Sequence, residues 1–253
     1  MEAIASTDEY EHSLADVMYV VNNIPGPGID VADFEAEYSV GCSCVEKCSN
    51  CSCTRGPDNY INARIVDEKL AGPVFECNAY CTCGPNCGNR LVQNGPLSCL
   101  TVRQHPDKGL GLFTTKLIKK GQFICEYAGE VIGLEEARRR VEANKHKAMN
   151  YVLVVSEHVG DRAIATCIDP TYFGNIGRYA NHSCWPNSSL VPIRIEGIVP
   201  RLCLFASRDI ENEEEVTFDY AGGAMANSVH YLSDTPCLCG SSNCFRYLPH
   251  NQI

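Results

Sequence analysis

Apolar and polar positions along this chain follow three different patterns. From residue 99 to residue 221, short runs rich in Val, Ile, Leu, Phe and Tyr recur between Gly, Asn, Asp and Pro residues. The runs are Leu100–Arg103, Gly111–Thr114, Phe123–Tyr127, Tyr151–Val155, Ile164–Ile168, Leu190–Ile195, Leu202–Ala206 and Val216–Phe218. Runs of this length bounded by turn residues predict strands. One stretch breaks the series. Leu134–Ala148 (LEEARRRVEANKHKA) is strongly helix-forming, with acidic residues in its first turn and basic residues after them, the order the helix dipole favours. The pattern therefore predicts a mainly β domain carrying one substantial helix. Residues 41–98 show little apolar periodicity and are rich in Gly, Asn and Pro, so they cannot build a core of their own. Residues 221–236 (AGGAMANSVHYLSDTP) read as a flexible connection.

Charge divides the chain unevenly. Of the net −10, residues 1–40 contribute nine acidic groups and no Lys or Arg, and the remaining 213 residues carry only −1. The first forty residues are expected to form a loosely ordered, solubilising acidic arm, although Val17–Ile24 (VMYVVNNI) has the composition to dock as a strand. No apolar stretch reaches membrane-spanning length. The first residues (MEAIA) show no basic n-region or long apolar run, so no secretory signal is visible. Seventeen cysteines without such a signal point to a reducing compartment and metal ligation. The lack of a spanning stretch argues against a membrane partner, while the acidic balance argues against strong direct nucleic-acid binding and suits a basic partner.

The cysteines restrict the chemistry most. Cys42, Cys44, Cys48, Cys51 and Cys53 form one cluster, and Cys77, Cys81, Cys83 and Cys87 form a second after a 23-residue gap. An odd set of nine leaves one thiol over in any disulfide scheme, and the CxC steps are short for intrachain pairing. Cys48-Ser-Asn-Cys51 alone would fit a redox CxxC, but Cys42, Cys44 and Cys53 crowd around it. Nine thiolates satisfy three tetrahedral Zn²⁺ ions if three sulfurs bridge and six are terminal, for a cluster charge of −3. A third group, Cys237-x-Cys239-x4-Cys244, is one ligand short, and Cys184 is the candidate fourth. Cys99, Cys125, Cys167 and Cys203 stand singly in strand-like runs and are expected in the core.

The string Gly174-Asn-Ile-Gly-Arg178-Tyr-Ala-Asn181-His182-Ser-Cys184-Trp-Pro-Asn187, followed by Glu215-Val-Thr-Phe218-Asp-Tyr220, closely resembles the two signature motifs of SET-domain protein lysine methyltransferases. Lys108-Gly-Leu-Gly111-Leu-Phe113 is similar to that family's first cofactor loop, and Glu126-Tyr127-Ala-Gly-Glu130 to its EYxGE strand. The resemblance covers about residues 40–249 in the family's order and lies nearest the class that methylates histone H3. It implies a mainly β SET fold with a knot-like C-terminal threading, flanked by a Zn3Cys9 pre-SET module and a one-zinc post-SET tail. The implied boundaries are an arm 1–40, pre-SET 41–98, SET 99–221, linker 222–232 and post-SET 233–249. Leu110 departs from the pattern, since many members carry Trp there.

The resemblance also implies roles. S-adenosylmethionine would be bound by Lys108, Gly109, Leu110, Tyr151, Arg178, Asn181 and His182, with Tyr220, Phe218 and Tyr127 as the catalytic set and Tyr172 and Phe173 as further channel candidates. Asn181-His-Ser183 also fits a glycosylation sequon, which the missing signal makes accidental. The implied reaction moves a methyl group onto a lysine amine. That amine must first lose a proton, which at an ordinary pKa of about 10.4 costs about 4 kcal/mol near neutrality. A dry aromatic channel beside a sulfonium lowers that cost, because desolvation and like charge both disfavour ammonium. Phe218 occupies the family's Phe/Tyr switch position and implies a di- or trimethyl product. Tyr247, just past Cys244, is expected to cover the channel. The implied substrate is the histone H3 tail or nucleosome, with lysine 9 favoured and lysines 4 and 36 open, and the implied location is the nucleus and chromosome. A non-histone substrate and a catalytically silent chromatin module are the competing readings. The latter is disfavoured by intact Tyr220, Asn181 and His182.

Overall fold

A computed structural model describes residues 16–37, 40–45, 47–70, 73–144, 150–159, 162–221 and 232–249. Two sheets organise the β region. In the four-stranded sheet, Val74–Phe75, Ser188–Arg194, Arg201–Ala206 and Phe123–Tyr127 lie side by side in that order. Its strands are buried on both faces, which is why they read as continuous apolar runs. Leu202, Leu204, Cys125 and Tyr127 face the main core with Leu112, Ile124, Ile168 and Phe218. On the opposite face, Val191, Ile193, Cys203, Phe205 and Phe123 pack against Tyr60, Ile65, Val74 and Val92 of the cysteine-rich segment. One sheet thus holds both the main core and the cysteine-rich segment in register.

The second sheet runs Met18–Tyr19, Arg162–Gly174, Gly129–Ile132 and Ile24–Pro25, with Leu153–Val159 also paired to Arg162–Gly174. The outer strands come from the acidic arm, which corrects the tail reading for residues 16–37. Met18 pairs with Phe173, Ile24 with Glu130 and Pro25 with Val131, all in parallel. The Gly26 N–H donates to Val131 O at 2.8 Å. The physical reason is edge satisfaction: an open sheet edge carries unpaired backbone groups, and a short apolar segment nearby closes them. The strand expected at Ile164–Ile168 extends to Gly174, passing Asp169-Pro170 with an irregularity between Asp169 and Gly174. A strand absorbs such an interruption through a bulge.

The helix spans Leu134–Ala143 and is capped by Asn144, whose N–H reaches Arg140 O. This is shorter than the expected Leu134–Ala148, and residues 145–149 lie outside the described residues. Arg140 pins the helix to the sheet, donating to Glu136 Oε1, Glu130 Oε2 and Asp169 Oδ2, each at 2.8 Å.

The threading that builds the site involves residues 213–218. On one side Glu213 N donates to Thr114 O (2.8 Å) and Val216 N to Leu112 O (2.7 Å). On the other side Thr217–Phe218 pairs in parallel with Asn181–His182, and Ser183 N donates to Phe218 O (3.1 Å). Asn187 locks the crossing, accepting from Thr217 N (2.9 Å) and donating to Glu215 O (2.7 Å).

Glu126, opposite Cys203 in the four-stranded sheet, gives the fold a pH dependence. Its carboxyl is buried, Oε1 has no hydrogen-bond partner among the described residues, and Oε2 lies 3.7 Å from Arg201 Nη1. Burial pushes its pKa up to about 7 against the opposing pull of Arg201. The folded state therefore holds a proton that the unfolded chain releases near pH 4.5, so this group lowers stability as pH rises from there through about 7. The penalty above pH 7 is at most about 3 kcal/mol. Glu126→Gln is expected to flatten that slope in urea melts run between pH 5 and 8; an unchanged slope would contradict the assignment.

Candidate active site

The crossing delivers a set of rings to one place. Phe218 is fully buried, with its ring centroid 4.8 Å from Tyr220 and 5.9 Å, edge-on, from Tyr127. His182 lies 5.3 Å from Tyr220. The Tyr127 hydroxyl donates to Tyr151 O at 2.6 Å, and the Tyr220 hydroxyl to Ala180 O at 3.2 Å. Burial, reinforced by the neighbouring Tyr151 and Glu215, pushes the Tyr220 phenol well above its ordinary pKa, so it stays neutral. Tyr172 and Phe173 do not join this cluster: Tyr172 is 57% exposed, and Phe173 lies where the arm pairs with the sheet. Tyr247 is also largely exposed, on the strand Tyr247–Pro249, and makes no ring contact with Phe218 or Tyr220 among the described residues.

The expected cofactor residues converge on the same crossing. Lys108 and Gly109 close the hairpin Leu100–His105/Gly109–Thr114, and Leu110 packs against the main core. Gly109 has φ +79, in the left-handed region, and nothing lies within 4 Å of where a Cβ would stand. Glycine is needed there for backbone conformation rather than for space. Gly111 is the reverse case, since a Cβ would meet Glu215 Oε1 at 2.7 Å and the Phe113 ring at 3.0 Å. Asn181 Nδ2 donates to Leu110 O (3.1 Å) and to Glu215 Oε1 (2.8 Å). Arg178 is buried with its guanidinium 4.3 Å over the Tyr151 ring; Nε donates to Pro170 O, and Nη1 has no partner among the described residues.

His182 joins two parts of the site. Its Nδ1 accepts the Tyr220 N–H at 3.2 Å, so the neutral ring carries its proton on Nε2, 3.3 Å from Cys184 Sγ. Burial holds its pKa down at about 4 despite nearby Asp219. Glu215 and His105 are the residues that motif reading did not single out. Glu215 receives Lys108 Nζ as well as Asn181, and His105 Nε2 stands 3.9 Å away. Glu215 did lie inside a quoted motif, but its sequence carries no sign of a partner over a hundred residues upstream.

Among the described residues the cysteines gather as four tetrads, three of them overlapping and the fourth separate. Within each, the sulfurs lie within 4.8 Å of one another: Cys42/Cys44/Cys48/Cys51, Cys48/Cys77/Cys83/Cys87, Cys42/Cys77/Cys81/Cys83 and Cys184/Cys237/Cys239/Cys244. Cys53 belongs to none of these but approaches Cys81 at 3.5 Å. Sulfurs around a tetrahedral zinc stand about 3.8 Å apart for Zn–S bonds of about 2.3 Å. The separations Cys42–Cys48 (3.4 Å), Cys48–Cys77 (3.4 Å) and Cys42–Cys77 (4.0 Å) bracket that value and are far beyond disulfide length. The donor sets fit zinc. Cys125, Cys167 and Cys203 are buried in the core, and Cys99 is half-buried, accepting from Thr114 Oγ1.

A mainly β fold with a threaded, Tyr-ended segment and cysteine tetrads on either side defines the SET class. The SET domain profile matches residues 109–221 and the Pre-SET motif profile residues 2–90. The histone-lysine N-methyltransferase SETMAR of Mus musculus is 41% identical over 251 residues, spanning 92% of this chain and 81% of that protein. The crystal structure of the methyltransferase domain of human SETMAR superposes with a TM-score of 0.83 at 40% identity, covering 94% of this chain and 91% of that one. KRYPTONITE in complex with mCHH DNA, H3(1-15) peptide and SAH superposes with a TM-score of 0.72 at 26% identity, covering 94% of this chain and 48% of that one. The chain belongs to the SET-domain family of histone-lysine N-methyltransferases and is a protein lysine methyltransferase.

Proposed function

We propose that this enzyme methylates a lysine of histone H3, with lysine 9 favoured over lysines 4 and 36, and carries it to the di- or trimethyl state. The observation that carries this reading is the contiguity of the Tyr127/Phe218/Tyr220 rings with the Lys108–Leu110 and Asn181–His182 segments. A relative solved with an H3 peptide and SAH supports both the substrate class and the cofactor.

S-adenosylmethionine, when bound, supplies an electrophilic methyl on a cationic sulfur. Lys108–Leu110, Tyr151, Asn181 and His182 would hold it, and Arg178 Nη1, without a partner among the described residues, would offer a donor to an anionic group at the same crossing. Tyr127 and Phe218 wall off water, which disfavours the ammonium form of an entering lysine. Tyr220, neutral and held by its bond to Ala180, presents its hydroxyl oxygen to orient the free amine. No side chain is assigned as a general base. Alignment and preorganised dipoles then supply the rate.

Four zincs are assigned. Cys42, Cys44, Cys48, Cys51, Cys53, Cys77, Cys81, Cys83 and Cys87 would together hold three ions, and Cys184, Cys237, Cys239 and Cys244 would hold the fourth. The modules are 41–98, 99–221 and 233–249, joined by 222–232, of which 222–231 lie outside the described residues. The working location is the nucleus, on chromatin.

The test is methyl transfer from labelled cofactor to recombinant nucleosomes and free histones, sited by mass spectrometry. Methyl on H3 lysine 9 is expected; no transfer to any histone would overturn the histone reading. Phe218 leaves room for a methylated amine to turn and react again. Phe218→Tyr adds a hydroxyl to that tight ring cluster and is expected to shift the product toward monomethyl, read as the ratio of peptide masses. A wild-type enzyme that stops at monomethyl would refute the switch reading.

A further inference from the structure

The strongest unassigned feature of the site is the carboxylate of Glu215. It sits in the middle of the threaded segment, with its side chain 13% exposed. Three side chains converge on it. Oε2 takes the Lys108 ammonium, itself only 12% exposed. Oε1 takes the Asn181 amide at 2.8 Å. That amide also donates to Leu110 O at 3.1 Å, so one side chain reaches both the hairpin turn and the carboxylate. His105 completes the set: its Nδ1 accepts from Asp107 N (3.1 Å) and Lys108 N (3.3 Å), which folds the turn, and its Nε2 stands 3.9 Å from Oε2. The missing Cβ of Gly111 is an independent sign that this position is built, because a methyl there would stand 2.7 Å from Oε1.

We infer that Glu215 is the positioning residue of the cofactor site, clamping the Lys108–Gly111 turn to the Asn181 strand. The inference rests on the cofactor reading above. Two physical effects follow from the one carboxylate. It fixes the relative position of two segments that the fold brings together from opposite ends of the domain. It also neutralises Lys108. Without it, a half-buried ammonium would stand uncompensated beside a site for a cationic sulfonium, and like charge opposes binding. Glu215 touches neither reacting atom, so its removal should act on cofactor binding more than on the chemical step.

The experiment measures cofactor Kd by calorimetry on the full chain, together with kcat, the two KM values and the melting temperature. Glu215→Ala is expected to weaken cofactor binding by about ten- to a hundredfold, the scale of a lost charge-assisted contact. The KM for the histone peptide should move less than threefold. Glu215→Asp, which keeps the charge, should recover part of the loss and Glu215→Gln less. Gly111→Ala should reproduce the defect, and adding Glu215→Ala to it should cost less than Glu215→Ala costs in the wild type, because the nearest clash, with Glu215 Oε1 at 2.7 Å, is gone while the contacts with the Phe113 ring (3.0 Å) and Asn181 Nδ2 (3.3 Å) remain. Unchanged cofactor affinity in Glu215→Ala overturns the clamp. So does a loss spread equally over cofactor, peptide and melting temperature, which marks a purely structural residue. Asn181→Ala separates the two layers of argument. If it loses cofactor while Glu215→Ala does not, only the clamp fails; if neither loses cofactor, the cofactor reading fails with it.

Discussion

Tyr220→Phe is expected to reduce kcat by about 10²- to 10³-fold, the range seen when one preorganised polar group is removed from a transition-state site. The reasoning is local. Tyr220 is the last ring of the threaded segment, 4.8 Å from Phe218 and 5.3 Å from His182, and of the two rings that segment supplies it alone carries a hydroxyl. Burial keeps the phenol neutral, so it orients the amine by a hydrogen bond and does not deprotonate it. Phenylalanine fills the same volume, so the packing survives. The Ala180 carbonyl loses its donor, a cost of about 1 kcal/mol in stability. Steady-state kinetics beside a thermal melt therefore separate the two effects: a large fall in kcat with a small fall in Tm. Near-normal kcat would remove Tyr220 from the chemistry.

Zinc withdrawal is the second large effect, and the two metal regions should respond differently. The buried residues of the cluster that holds residues 42–87 together are all cysteines: Cys42, Cys48, Cys77, Cys83 and Cys87. Structural zinc contributes about 10–16 kcal/mol at neutral pH, as much as the whole stability of an ordinary domain. Cys48→Ser or a strong chelator should therefore unfold this segment. It should then expose the sheet face on which Tyr60, Val74 and Val92 pack. Cys244→Ser is expected to leave the β core melting within a few degrees of wild type, because three of the tetrad's four cysteines, Cys237, Cys239 and Cys244, lie past the strands of the main core. Activity should nevertheless be lost. Cys184 of that tetrad sits 3.3 Å from His182 Nε2, and His182 in turn receives the Tyr220 N–H. Metal analysis should find four zincs in the wild type and three in Cys244→Ser. Full activity in Cys244→Ser would disconnect the tail from the site.

Much of this was legible before folding. Apolar runs marked the strands at Phe123–Tyr127, Leu202–Ala206 and Leu190–Ile195 to within a residue or two, because a strand buried on both faces must be apolar throughout. In the acidic arm the docking option at Val17–Ile24 holds and the loose-tail expectation does not; the pairing segments, Met18–Tyr19 and Ile24–Pro25, are two residues each and show no period. Their strand character comes from the sheet edges they close. The helix is described as far as Ala143 and its cap Asn144; the polar run after Ala143 is as helix-prone as what precedes it, so local composition does not mark a stop.

Glu213, Glu214 and Glu215 draw the line most clearly. Residue type and spacing alone reveal an acidic run ahead of Val-Thr-Phe-Asp-Tyr220, a mainly β domain, and cysteines spaced for zinc on either side of it. They say nothing of which carboxylate does what. In the folded chain Glu213 pairs with Arg103 at the surface, Glu214 with Arg208, and Glu215 turns inward to Lys108 and Asn181. Three identical neighbours have three different fates because the threading presents each one to a different wall. Local chemistry limits what a residue can bind, but a partner 34 or 107 positions away is chosen only when the chain crosses itself.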